Sequence, residues 1–97
     1  MEDAKADKRQ PGGPTWTVDL RVEEDGVRTV AVATLRAGDR RIQGRGTARR
    51  NPLDPDLPRV GEDLAVSRAL SHLAHELLSD AAASLEAATH APSGIHR

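Results

Sequence analysis

Residues 41–49 read RIQGRGTAR, and their alternation decides the fold. Even positions hold Ile42, Gly44, Gly46 and Ala48; odd positions hold Arg41, Gln43, Arg45, Thr47 and Arg49. Alternation of this length marks a half-buried strand. Arginines do not form a core, so the even face points inward. Glycines weaken a strand unless another backbone comes close, and a helix lying on so low a floor supplies that reason.

Working upstream, Val27 to Arg36 carries Thr29, Ala31, Ala33 and Leu35 on one face and Arg28, Val30, Val32, Thr34 and Arg36 on the other. Turning the small residues inward sets Ala31 and Ala33 beside Gly44 and Gly46, with Ala37-Gly38-Asp39 as the intervening turn. Before that, Trp16, Val18, Leu20 and Val22 alternate with Thr17, Asp19, Arg21 and Glu23, and Glu24-Asp25-Gly26 closes a hairpin. The Trp16–Val22 row is expected to form a wall beside the helix.

Downstream, Pro52, Pro55 and Pro58 recur every third residue, which reads as a stiff, extended crossing. Gly61-Glu62-Asp63 is expected to open a helix, its carboxylates set against the positive end. On a helical wheel Val66, Leu70, Leu73, Ala74, Leu77, Leu78, Ala81, Leu85 and Ala88 share one apolar arc. Arg68, His72, His75, Ser79, Glu86 and His90 fall on the far side. A helix of about 26 residues spans roughly 40 Å, longer than the sheet, so its last turns overhang or meet another subunit. The expected class is α+β: a three-stranded antiparallel meander packed on one face by a single long C-terminal helix. Residues 15–90 form one β-β-β-α domain, between a disordered tail over 1–14 and a frayed one over 91–97.

Composition excludes several functions. The chain has 97 residues, 14 Lys+Arg against 15 Asp+Glu, and no cysteine, which rules out disulfides and thiolate chemistry. Trp16 is the only aromatic, too few for a base-stacking platform. No apolar run is long enough for a membrane span, and residues 1–14 lack a signal peptide's apolar stretch, so a cytoplasmic protein is expected. No serine sits in a nucleophile elbow, Gly44-Arg45-Gly46 is too short for a dinucleotide fingerprint, and Asp54 and Asp56 share a loop without a cleft. No enzyme, cofactor or small-molecule ligand is expected.

The near-zero net charge hides a polarised chain. From Arg36 to Arg50 six arginines face one acid, Asp39, whereas the helix is mostly acidic. Arg36, Arg41, Arg45, Arg49 and Arg50 are therefore candidate contacts for a nucleic-acid backbone or another polyanion. The competing reading is a solvated, edge-protecting strand, with arginines paired to Asp19 and Glu23 across the sheet. Val30 and Val32 share that outer face and are candidates for the centre of a two-fold dimer interface. His72, His75 and Glu76 have helical spacing within reach of one ion, but a closed site needs another ligand from His90, His96 or a second subunit, and surface histidines account for the pattern without metal.

The order β-β-β-α with the run GTARRNPLDPDLPRVGEDLAVSRALSHLAHELL, residues 46–78, resembles a family of small actinobacterial proteins of unknown function. Arg49-Arg50-Asn51-Pro52, Asp54, Pro58, Gly61, Leu64-Ala65, Arg68-Ala69-Leu70 and Leu73-Ala74 carry the likeness, which covers residues 15–88. The turn and second strand (Asp25-Gly26, Arg28-Thr29, Ala31, Ala33 and Leu35) look similar too. The resemblance implies a fold like the double-stranded-RNA-binding domain without its first helix. It does not carry over RNA binding, because Glu62 and Asp63 stand where those domains place lysines. The sequence reads best as a small interaction or regulatory protein that forms a homodimer. The rival reading is a weak, non-specific nucleic-acid binder using the arginine face.

Overall fold

The computed structural model describes residues 12–90, of which His90 without its side chain. The tail expected over 91–97 lies outside the described residues, as does most of that over 1–14. Three antiparallel strands, β1 (Trp16–Asp25), β2 (Arg28–Ala37) and β3 (Arg40–Arg49), form a sheet in the order β1-β2-β3, followed by one helix, α1 (Pro58–His90). Each hairpin turns in two residues, and Gly26 and Gly38 supply them with φ of +65° and +66°. The turns are thus one step tighter than the sequence reading: β1 runs on to Asp25, and Val27 belongs to the turn.

The register sets Ala31 opposite Gly46 and Ala33 opposite Gly44, making the expected low floor. α1 runs antiparallel to β3 and rests on that floor through Ala65, Ala69 and Leu73, one residue per turn. A methyl group at Gly44 would collide with the backbone of Ala69 and Leu73, and one at Gly46 with that of Ala65 and Ala69. The glycines are where the two backbones meet. Ala31, Ala33, Leu35, Ala48, Ala65, Ala69 and Leu73 make the core, flanked by Ile42, Val66 and Leu77. It is a core of alanines, and among the described residues no large side chain is fully buried.

Seated there, the helix covers β2 and β3 and scarcely reaches β1. The expected wall is therefore corrected: Trp16, Val18, Leu20 and Val22 do face the helix side, yet remain 36–49% exposed. The apolar arc of the wheel is corrected for the same reason. Its middle does not meet the sheet; the small-residue stripe does, and Leu70, Leu78 and Leu85 stay open.

The helix also starts earlier than expected. Pro58, not Gly61, opens it, since proline's missing N–H costs nothing in the first turn, and the Leu57 carbonyl accepts from the N–H groups of Val60 and Gly61. Glu62 and Asp63 lie beyond the first turn, which holds no acid. The crossing is not uniformly extended either. Asn51 folds it into a turn, its side chain accepting the Leu53 N–H at 2.9 Å and its carbonyl the Asp54 N–H at 2.8 Å. The 33-residue helix is roughly 50 Å long against roughly 33 Å for a ten-residue strand. Asp80 meets Arg40 at the end of the sheet, and residues 81–89 are all exposed.

Candidate polyanion-binding face

The face of the sheet away from α1 is built by alternation. β1 contributes Thr17, Asp19, Arg21, Glu23 and Asp25; β2 contributes Arg28, Val30, Val32, Thr34 and Arg36; β3 contributes Arg41, Gln43, Arg45, Thr47 and Arg49. The register opposes like charges at both ends of the β2–β3 ladder: Arg36 faces Arg41, and Arg28 faces Arg49. Such pairs cost free energy unless an anion lies between them. Among the described residues, Arg36 alone on this face pairs with a carboxylate, that of Asp19 at 3.4 Å. Among the described residues, Arg41, Arg45 and Arg49 have no ion-pair partner and are exposed.

Four of the five candidate arginines thus share one face, and the fifth does not. Arg50 is half-buried at the loop, reaching the Pro52 and Asp54 carbonyls at 3.5 and 3.1 Å and Asp56 at 3.7 Å. It clamps the crossing. Val30 lies between Glu23 and Thr47, and Val32 between Arg21 and Arg45; both are half-buried. Beside them the Gln43 side-chain amide donates to the Thr34 hydroxyl at 3.0 Å.

Two structural residues were not legible as such. Arg40 is at an even position of β3, hence on the helix side, where its guanidinium bonds Asp80 at 3.1 Å and sits 5.8 Å from the Trp16 ring centroid. Parity alone would have separated it from the outer arginines. His72, placed on the solvent side by the wheel, accepts the Arg45 N–H on Nδ1 at 2.8 Å, with Glu76 3.4 Å from its Nε2. Both ring nitrogens are therefore engaged. His90 and His96, the further ligands a metal would need, lie outside the described side chains, and among the described residues no three acidic or histidine groups gather to hold a metal. No helix among them is long and apolar enough to cross a membrane.

Comparison with known proteins follows the same outline. A family model described as Rv2632c-like matches residues 14–94. The uncharacterised protein Rv2632c of Mycobacterium tuberculosis is 40% identical over 85 residues, covering 87% of this chain and 91% of its own. The uncharacterised protein Mb1767 of Mycobacterium bovis is 41% identical over 80 residues, covering 82% and 85%. The crystal structure of Rv2632c superposes with a TM-score of 0.75 at 38% identity, over 84% of this chain and 96% of that one.

Proposed function

This chain belongs to the Rv2632c-like family, and from that premise we propose that it is a small non-enzymatic interaction protein that works as a self-associated assembly. One observation carries the reading. The fold leaves more large apolar side chains open than it covers, among them Trp16, Val18, Leu20, Val22, Leu64, Leu70, Leu78 and Leu85, over a core built of alanines. Contiguous apolar surface beyond a few hundred Å² marks an interaction site. The outer face around Val30 and Val32 is the weaker candidate for that surface, because half-buried valines add little on further burial. Sedimentation velocity of the full chain over about a hundredfold range of concentration tests the reading. The sedimentation coefficient should rise with concentration, and a monomer at the highest concentration would overturn it.

A second reading is favoured by the opposed arginine pairs. The outer face binds the backbone of a polyanion such as duplex nucleic acid, with Arg28, Arg36, Arg41, Arg45 and Arg49 as the contacts. The expected kinship with double-stranded-RNA-binding domains adds no preference for RNA, because Glu62 and Asp63 follow the helix start. Binding should be weak, with Kd about 10⁻⁴–10⁻⁶ M, and equal for RNA and DNA duplexes. Fluorescence anisotropy at two salt concentrations decides it. Arg45→Gln should lower affinity for all sequences alike and reduce the salt slope by about one. Absence of binding to either duplex at low salt would end this reading.

A further inference from the structure

The two edges of the sheet differ. The free edge of β3 is occupied: His72 takes the Arg45 N–H, and Arg68 donates to the Thr47 carbonyl at 2.8 Å. Among the described residues nothing bonds to the outer edge of β1, a strand of ten residues. Because Arg45 turns its N–H outward, the antiparallel ladder turns the N–H and C=O of Val18, Leu20 and Val22 toward that open edge. The same three residues carry the uncovered apolar row. An open edge beside an open apolar face is a template for another strand.

We propose that a second copy of this chain pairs its β1 antiparallel with this one, about a two-fold axis through Leu20, giving a continuous six-stranded sheet. The inference rests on the self-association proposed above and names the surface that performs it. Charge complementarity sets the register, read from Thr17-Val18-Asp19-Leu20-Arg21-Val22-Glu23. Centred on Leu20, Asp19 faces the partner's Arg21 and Val18 faces the partner's Val22, each pair occurring twice, and Leu20 meets its own copy. Moving the axis to Arg21 sets arginine against arginine and Asp19 against the partner's Glu23. Moving it to Asp19 sets that carboxylate against itself. Opposite charges directly across a ladder stabilise and like charges oppose, so one register stands out. β3 offers no equivalent, since centring it on Arg45 would align Arg41, Arg45 and Arg49 with one another.

The chain has no cysteine, so single-cysteine variants report the geometry directly. Leu20→Cys should form a disulfide-linked dimer under mild oxidation, because a hydrogen-bonded antiparallel pair holds its Cα atoms about 5.5 Å apart, within disulfide reach. Val32→Cys, on the outer face, should not. Asp19→Arg and Arg21→Asp should each weaken association about tenfold, because each turns two attractive pairs into two repulsive ones. The double swap Asp19→Arg/Arg21→Asp should restore it. Circular dichroism checks folding of each variant; Asp19, Leu20 and Arg21 are exposed, and Val32 is half-buried. An associating protein in which Val32→Cys crosslinks and Leu20→Cys does not, or in which the charge swaps have no effect, overturns this interface and leaves self-association standing. A wild type that stays monomeric overturns both.

Discussion

Gly44 and Gly46 are the residues on which the packing turns. Their missing side chains let Ala65, Ala69 and Leu73 bring the helix backbone onto the strand, so a side chain there cannot be accommodated by rotating a neighbour. Gly44→Leu or Gly46→Leu should cost about 1–3 kcal/mol or more, and the alanine variants should also destabilise, because the first atoms met are backbone. Thermal melts at fixed protein concentration read this, at about 4–8 °C per kcal/mol for a domain of this size. Unchanged midpoints would mean that the faces of β3 are reversed. These glycines were legible because arginine alternates with them, so one strand named both its faces. Arg40 and Arg50 were not separated from the outer arginines by composition. Strand parity assigns the first to the helix side, and the second lies one residue past the strand, where it serves the loop.

At the level of elements, the sequence yields each strand and the helix but not how the helix is rotated over the sheet. A wheel locates the apolar arc, whereas contact follows the closest possible backbone approach, and here that is the alanine stripe at the arc's margin. The helix is thereby rolled toward β3, which brings His72 and Arg68 over the strand edge and leaves Leu70 exposed. The proline spacing masks the helix start for a related reason: Pro58 continues the period of Pro52 and Pro55 yet occupies the first helical position. The roll has a testable consequence. His72→Ala removes the acceptor for the Arg45 N–H, and since water can reach that edge the cost should be about 0.5–1 kcal/mol. Amide exchange at Arg45 should quicken while that at Gly44 and Gly46, which bond toward β2, stays slow. His75→Ala, exposed on the same helix, should stay within about 0.5 kcal/mol of wild type. Equal exchange at Arg45 in the two variants would sink the edge role of His72.

For the whole molecule, the pairing of β1 strands and the arginine face act on one another. A two-fold axis perpendicular to the sheet keeps both arginine faces on the same side, with Asp19 and the partner's Arg21 neutralising the centre. The two β3 strands then lie five strand spacings apart, about 24 Å, close enough for one duplex to touch both. With Arg41, Arg45 and Arg49 contacting phosphate in each copy, the salt dependence should report how many copies engage. At about 0.9 per phosphate, three contacts give a slope of magnitude about 3 and six contacts about 5. Leu20→Glu places a charge on the axis, and because Leu20 is 45% exposed in the single chain, the variant should fold as a monomer. On a duplex long enough to span both halves, the slope should therefore fall from about 5 to about 3 between wild type and this variant. On a duplex too short to span them, the two proteins should behave alike. A slope of about 3 for wild type on both duplexes would mean that the two faces bind independently, and that assembly serves something other than grip on a polyanion.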